Sequence, residues 1–164
     1  MSWSWELSIP PIELQLREKN DIIELFLEET GEIYSMHSLN CLQIPKWEGN
    51  VVLKNENKQI TGVFWSHPIG LHTVRIAAFV LHRQFQNKGI GSNIWQHMID
   101  TFQALGYKEI ILEVRADNEQ ALSFYQQRGM NIIRTLEGYY SAGLGYSMKG
   151  DLRPQIGNEI SLKI

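Results

Sequence analysis

A polar loop with two glycines separates a strand pattern from a helix pattern in the middle of the chain. The run TVRIAAFVL, residues 73–81, is apolar and rich in β-branched residues, which predicts a strand. The loop QFQNKGIGS follows, and a helix is predicted from about Gly89 to Leu105. Glycine lets backbone N–H groups crowd around an anion at the positive end of a helix. The loop therefore predicts a phosphate site, and its alternative is a plain turn eased by glycine.

Two common phosphate-binding loops do not fit this segment. The Rossmann pattern needs a third glycine where this chain has Ile94. The P-loop needs lysine directly after the glycine, whereas Lys88 precedes Gly89. The segment is therefore a different kind of phosphate loop, or no phosphate loop.

The remaining pattern predicts an α/β domain, because strands alternate with helices. Strands are expected at 51–54, 60–67, 73–81, 109–115, 132–136 and 146–148. Between the strands at 109–115 and 132–136, a helix is predicted to begin at a capping-box variant of Asp117 and Gln120 and to end at Gly129. The last two strands flank the glycine-rich turn SAGLG, residues 141–145.

The first fifty residues carry weaker signals. Residues 1–11 are predicted to be a loose lead, and residues 12–16 alternate like a strand. Asn20 or Asp21 is expected to cap the first helix. Residues 31–50 are interpreted as a second short helix followed by a loop.

Length and composition favour one compact domain over residues 1–164, with 43% hydrophobic residues to build its core. The net charge of −3, with scattered Lys and Arg, argues against a nucleic-acid partner. Cys41 is the single cysteine, so there is no disulfide framework. Of the histidines, only His37 stands one helical turn from this cysteine, and two ligands do not make a metal site.

Targeting signals are equally absent from the sequence. The start MSWSWELSIPPIEL lacks the basic and apolar regions of a signal peptide. No stretch approaches the roughly 20 apolar residues of a membrane helix. These features predict a soluble, cytoplasmic protein without a membrane partner.

The loop and the segment after it resemble one known family. Gln86-Asn87-Lys88-Gly89-Ile90-Gly91 matches the Q/R-x-x-G-x-G/A signature of the GNAT acetyltransferases. LEVRADNEQALSFYQQRGM, residues 112–130, resembles their next strand, loop and helix, and is most similar to the ribosomal-protein N-terminal acetyltransferases. The resemblance covers residues 73–149. It implies the GNAT fold, with a mixed, mostly antiparallel sheet of six to seven strands and helices on both faces.

The resemblance also implies acetyl-coenzyme A (acetyl-CoA) as the cosubstrate. Amides of the loop would bind its pyrophosphate, and the end of the preceding strand would pair its backbone with the pantetheine arm. Lys88 would contact the adenosine phosphate, and its alternative is a solvated lysine on the surface. The coenzyme contacts implied in this way are Phe79, Leu81, Gln86, Asn87, Lys88, Gly89, Ile90, Gly91, Ser92, Asn118 and Ala121.

Two residues receive catalytic roles from the resemblance. Glu113 lies between Leu112 and Val114 in an apolar strand, where a carboxylate is costly unless it is exposed or paired or has a function. The family match makes it a general base acting through water. Tyr125 would protonate the departing thiolate, and its alternative is a packing aromatic. Neither role requires a metal.

The implied reaction moves acetyl from acetyl-CoA directly to a primary amine, best a protein or peptide N-terminal α-amine. Tyr139 and Tyr140 match the late loop of the family and are assigned to the acceptor. The acceptor stays open, because residues 141–145 lack the usual acidic residues and His82-Arg83-Gln84 replaces a D/P-containing turn. A small-molecule amine acetyltransferase and a non-catalytic acetyl-CoA sensor are the alternatives. The protein is expected to be a monomer or a homodimer.

Overall fold

The computed structural model describes residues 2–140 and 143–152, apart from the side chains of Tyr139 and Tyr140. Seven strands form one sheet in the order β1-β2-β3-β4-β5-β7-β6. They are β1 (Trp3–Leu7), β2 (Val51–Asn55), β3 (Ile60–Ile69), β4 (Thr73–Leu81), β5 (Glu109–Arg115), β6 (Asn131–Tyr140) and β7 (Gly143–Asp151). The α-helices are α1 (Leu16–Thr30), α2 (Met36–Asn40), α3 (Ile90–Ala104) and α4 (Glu119–Gln126), with 3₁₀ turns at Pro11–Glu13 and Arg83–Phe85.

The described residues fall into two compact units. The first consists of residues 2–67 and 76–101, and the second of residues 68–75, 102–140 and 143–152. The single domain expected from the sequence stays a prediction.

The first unit begins with a strand where the sequence predicted a loose lead, so that prediction was wrong. β1 pairs antiparallel with β2, with Trp3 opposite Asn55 and Leu7 opposite Val51. Apolar residues alternate with polar ones along Trp3–Leu7, as in a strand whose apolar side chains all lie on one face. The five-residue run lies at the edge of the sheet, and its partner is about 50 residues away in sequence.

The strand predicted at residues 12–16 was also wrong. Pro11–Glu13 is a 3₁₀ turn and α1 begins at Leu16, so the alternation there is a turn entering a helix. The cap is Gln15, which forms a capping box with Glu18, instead of Asn20 or Asp21. The Asp21 carboxylate instead accepts a hydrogen bond from the Ile60 N–H at 3.1 Å.

Two helices cover the core of this unit. Ile22, Leu25 and Phe26 of α1 are buried, and the Phe26 ring meets Trp65 edge-on with centroids 5.9 Å apart. α2 confirms the short helix expected within residues 31–50, and its Leu39 is fully buried in the same cluster. Burial of these side chains holds both helices in place.

A buried polar network anchors the loop that enters β2. The Asn50 side chain accepts from the Ser66 N–H at 2.5 Å and donates to the Pro45 carbonyl at 2.7 Å. Ser66 Oγ donates to the Gly49 carbonyl at 2.7 Å. A Cβ on Gly49 would lie 2.3 Å from the Trp47 ring, so only glycine fits there. Asn50 and Ser66 are fully buried, and these hydrogen bonds replace the water they lose.

In the second unit, β5 has the bounds that the sequence predicted, Glu109–Arg115. Its residues alternate in burial, so Ile110, Leu112 and Val114 face the core. β7 pairs antiparallel with both β5 and β6. The final strand pair was predicted correctly in kind, but both strands are longer than expected.

The cap of α4 differs from the sequence prediction. The predicted capping-box variant of Asp117 and Gln120 was wrong, because Asn118 is the N-cap and accepts from the Ala121 N–H at 3.1 Å. Asp117 instead pairs with Arg115 at 3.1 Å. Gly129 follows the helix with φ +88, which suits glycine after a helix end.

The carboxylate of Glu109 is held between two donors. Thr73 Oγ1 donates to Oε1 at 2.7 Å, and Lys149 Nζ lies 2.9 Å from Oε2. The Thr73 hydrogen bond is the main reason why the pKa of Glu109 is lowered from its ordinary 4.5, and Lys149 adds to it. This contact therefore stabilises the fold above the unfolded pKa, and the stabilisation is lost as pH falls through the lower folded value.

Replacing Thr73 with valine is expected to reduce that pH dependence, because the main donor is removed. Urea unfolding of the parent protein and Thr73→Val should differ most near neutral pH and converge in acid. Thr135 is an exposed threonine of β6, and Thr135→Val is the control, whose stability should match that of the parent protein at every pH. A constant difference between parent and Thr73→Val across the pH range would contradict the assignment.

Among the described residues, none of the helices is both long and apolar enough to cross a membrane. The cytoplasmic location stays a prediction.

Candidate active site

The β4–α3 loop presents backbone amides at the start of a long helix. Asn87 and Gly89 both have left-handed backbones, with φ +58 and +80. The first intrahelical hydrogen bond runs from the Asn93 N–H to the Gly89 carbonyl at 3.0 Å. The amides of Ile90 and Gly91 precede this bond and therefore have no acceptor inside the helix. A loop of this shape can hold an anion at the positive end of α3.

The start of the loop is fastened by Gln86. Its Nε2 donates to the Leu81 carbonyl at 2.7 Å, and its N–H donates to the Arg83 carbonyl at 3.2 Å. Among the predicted coenzyme contacts, Gln86 therefore shapes the loop through bonds within the protein. The amides open to an anion lie further along, towards Gly91.

The other loop residues differ in exposure. Asn87, Lys88 and Gly89 are exposed, whereas Ile90 is buried. Gly91 and Ser92 are half-buried in the first turn of α3. Lys88 makes no ion pair within residues 2–140 and 143–152, so its ammonium is available to a phosphate.

The end of β4 packs its side chains into the protein. The Phe79 ring stacks on Trp95 with centroids 6.2 Å apart and meets Phe64 edge-on at 5.1 Å. These rings account for the Phe79 side chain as core. A coenzyme role for Phe79 and Leu81 therefore concerns their backbone, as the resemblance implied.

Glu113 of β5 forms a fork with Arg75 of β4. Arg75 Nε lies 3.0 and 3.2 Å from the two carboxylate oxygens, and Nη2 lies 3.0 Å from Oε1. The Glu113 side chain is 19% exposed and that of Arg75 is 28% exposed. The fork fixes the orientation of the carboxylate, as a positioned general base requires. This geometry also fits the alternative of a paired strand residue, so the catalytic role stays a prediction.

Tyr125 lies on α4, three residues beyond the half-buried Leu122. It is 8% exposed, and its ring meets Phe124 edge-on with centroids 5.5 Å apart. At the start of the same helix, Asn118 uses its Oδ1 as the cap for Ala121. The capping bond leaves the amide nitrogen of Asn118 as a donor, so capping and a coenzyme contact are compatible. The side chains of Tyr139 and Tyr140 lie outside the described part of the chain, and their role stays a prediction.

Arg75 was missed by the sequence analysis. Its strand carries apolar residues on both sides, and its charge was not connected with Glu113, 38 residues later. Opposite charges on two predicted strands would indicate a pair only if the order of the strands in the sheet were known.

One group of possible metal ligands occurs among the described residues, formed by Glu28, Glu29 and His82. Glu29 already accepts from the Arg83 N–H at 2.9 Å. His82 Nδ1 accepts from the Gln84 N–H at 3.1 Å, so the proton of a neutral ring is on Nε2, the atom that faces Glu28. A protonated Nε2 cannot bind a metal, so this group is better explained as a contact between His82 and Glu28 beside the Arg83–Glu29 hydrogen bonds, which hold the end of α1 against the loop. The absence of a metal stays a prediction.

Comparison with known proteins identifies the family. The sequence pattern of the Acetyltransferase (GNAT) family matches residues 19–130, more than half of the chain. The chain belongs to the GNAT acetyltransferase family. This result confirms the predicted family, the α/β fold and the acyltransferase class.

Individual relatives of this GNAT chain are N-acetyltransferases. N-alpha-acetyltransferase 30 of Schizosaccharomyces pombe is 28% identical over 127 residues, which cover 75% of this chain and 84% of the relative. Ribosomal protein bS18-alanine N-acetyltransferase of Salmonella typhimurium is 34% identical over 62 residues, 38% of this chain and 42% of the relative. The fold resembles one chain in the crystal structure of the NatC complex bound to Gag peptide and CoA, with a TM-score of 0.75 and 18% identity. The match covers 93% of this chain and 100% of that chain.

Proposed function

We propose that this protein transfers acetyl from acetyl-CoA to the α-amine of a protein or peptide N-terminus. The β4–α3 loop carries the proposal, because open amides stand at the N-terminus of α3 beside two left-handed residues, Asn87 and Gly89. This is the geometry that a pyrophosphate needs. Both sequence relatives described above are named for acetylation of N-terminal or alanine amines.

The chemistry of the acceptor favours an α-amine over lysine. An amine must be neutral to attack the thioester, and an α-amino group with a pKa of about 8 is roughly one unit from neutrality at pH 7. A lysine with a pKa of about 10.4 needs about 4.6 kcal/mol for deprotonation at that pH. Glu113, acting through a water, is a modest base that suits the smaller requirement. Tyr125 supplies the proton for the thiolate of the departing coenzyme.

The test is turnover with a panel of acceptors. Free thiol release is measured with acetyl-CoA and peptides that differ in their first residues, beside the same peptides blocked at the α-amine and a set of small amines. Turnover on free peptides and none on blocked ones is expected. Turnover on small amines alone would support the small-molecule alternative. Tight coenzyme binding measured by calorimetry, without turnover on any amine, would support the sensor alternative.

Replacing Gly89 with alanine is expected to weaken acetyl-CoA binding by about tenfold or more, equivalent to about 1.4 kcal/mol. A Cβ on Gly89 meets no protein atom within 4 Å, so the protein has room for the methyl group, and the proposal assigns that open space to the phosphate. The left-handed backbone adds a strain of about 1 kcal/mol in the alanine variant. A larger substitution, Gly89→Val or Gly91→Val, should weaken coenzyme binding further.

Gly31→Ala is the control for strain without a phosphate. Gly31 has φ +74 and the same open space around its Cβ, but it caps the end of α1. Both variants should lose similar stability in thermal unfolding, and only Gly89→Ala should lose affinity in calorimetry. Equal affinities of the two variants would place the pyrophosphate elsewhere.

A further inference from the structure

The residues on either side of the coenzyme loop are its apolar anchors. Phe85, directly before Gln86, is 1% exposed, and Ile90, directly after Gly89, is 4% exposed. Both belong to a small buried cluster with Leu53 of β2, and Leu81 packs against it. The stretch between them, residues 86–89, has three exposed residues, Asn87, Lys88 and Gly89, and is therefore held at both ends by buried side chains of the same cluster.

That support includes the N-terminal edge strand. Trp5 of β1 packs against the same cluster and stands directly opposite Leu53 in the antiparallel register. The support is tightly packed, because a Cβ on Gly62 would lie 2.9 Å from Leu53 and 2.8 Å from Leu81. Among the described residues, the Trp5 indole N–H has no hydrogen-bond acceptor although it is buried. The contribution of Trp5 to the cluster is therefore apolar contact and not a hydrogen bond.

The loop needs such support because its backbone is unfavourable. Asn87 and Gly89 both occupy the left-handed region, which an unconstrained chain of L-residues seldom adopts. When a ligand binds only one loop conformation, its apparent affinity is reduced to the fraction of molecules that have this conformation. Side chains that hold Phe85 and Ile90 in place raise that fraction without contacting the ligand.

We propose that Trp5 is a positioning residue for the acetyl-CoA pyrophosphate, acting through Leu53, Phe85 and Ile90 on the conformation of residues 86–91. This inference rests on the proposed function, since it takes the loop as the pyrophosphate site. It makes β1, which the sequence predicted as a loose lead, part of the coenzyme-binding structure.

The experiment is a series at Trp5, with Trp3 as the control. Trp3 lies two residues away on the same face of β1, is 39% exposed, and is outside the cluster. Trp5→Phe, Trp5→Leu, Trp5→Ala and Trp3→Ala are compared with the parent protein by acetyl-CoA calorimetry, thermal unfolding and steady-state kinetics. Measurements are made well below the midpoint of unfolding, so that the folded protein is what binds.

Affinity is expected to fall as the side chain at position 5 shrinks. Trp5→Ala should raise the dissociation constant about tenfold, which corresponds to a competent loop in about a tenth of the molecules. Trp5→Phe keeps an apolar ring, removes the unpaired N–H and should stay near the parent. Trp3→Ala should also bind like the parent. At saturating acetyl-CoA the Trp5 variants should keep kcat, with the loss confined to KM for the coenzyme.

Other outcomes overturn the inference. Parental affinity in Trp5→Leu and Trp5→Ala would show that the loop does not depend on Trp5. Equal weakening in Trp3→Ala and Trp5→Ala, or a fall of kcat equal to the rise of KM, would assign the effect to general stability of β1. If Trp5→Ala does not fold, Trp5→Leu and Trp5→Phe decide. A parent protein that binds no acetyl-CoA would instead refute the proposed function.

Discussion

Glu113→Gln is expected to lower turnover by about 10²–10⁴-fold, the usual range for loss of a general base, while acetyl-CoA binds with parental affinity. The loss should shrink as pH rises, because more of the acceptor amine is then already neutral. Tyr125→Phe removes a proton donor for the leaving thiolate, and raising the pH cannot restore that donor. Its defect should persist or deepen at high pH, so pH–rate profiles of the two variants separate the two roles.

Glu109→Gln is the control for Glu113→Gln. Both glutamates are on β5, four residues apart, and each is ion-paired, Glu113 with Arg75 and Glu109 with Lys149. If breaking an ion pair on this strand were enough to reduce activity, both variants would be impaired. We expect Glu109→Gln to keep turnover within about twofold, since surface changes away from the chemistry have small effects.

The fork with Arg75 gives Glu113→Gln a second consequence. The guanidinium loses a charged partner in a half-buried position, so stability should fall even if catalysis were unaffected. A variant that is less stable yet turns over at the parental rate would support the alternative of a paired strand residue. Matching pH dependence in Glu113→Gln and Tyr125→Phe would remove the division into base and acid.

The largest effect on stability is expected from Asn50→Ala. The change removes the acceptor of the Ser66 N–H and the donor to the Pro45 carbonyl, in the network that joins β3 to the loop entering β2, where Asn50 and Ser66 are fully buried. Each buried group left without a partner costs about 1–3 kcal/mol, so the free energy of unfolding, measured in urea, should fall by about 3 kcal/mol or more. This is a large part of the stability of a typical domain, about 5–15 kcal/mol.

Asn57→Ala is the matched control, because Asn57 is an exposed turn residue whose backbone, not its side chain, is hydrogen-bonded. Its stability should stay within about 0.5 kcal/mol of the parent protein. Asn50→Asp separates the two bonds, since a carboxylate accepts from Ser66 but cannot donate to Pro45. It should also be strongly destabilised, because it buries a charge facing a carbonyl. A loss below about 1 kcal/mol in Asn50→Ala would show that this network is not important for stability.

Much of the fold could be predicted because its signals are local. The alternation of Glu109–Arg115 and the stripe of Ile90, Ile94 and Met98 each report on one element, and the structure confirms the strand and the helix. Glycine at position 89 signals a left-handed backbone, and its φ of +80 agrees. The family could also be predicted, because its signature is a run of neighbouring residues around that glycine.

The parts that could not be predicted depend on partners far away in the sequence. β1 is a strand because β2 pairs with it about 50 residues later, and five residues without that partner look like a loose lead. The fork between Arg75 and Glu113 joins two strands, 38 residues apart, whose proximity no local pattern specifies.

The amino-acid sequence by itself determined the periodic elements, the glycine loop and the family, because each is encoded in residues close together along the chain. Only the tertiary structure decided which residues support that loop and which charge faces Glu113. Trp5 meets the cluster of Leu53, Phe85 and Ile90 because the sheet brings an edge strand beside β2 and beneath the start of α3. Packing of this kind depends on contacts between residues far apart in the sequence, and these contacts form only when the chain folds.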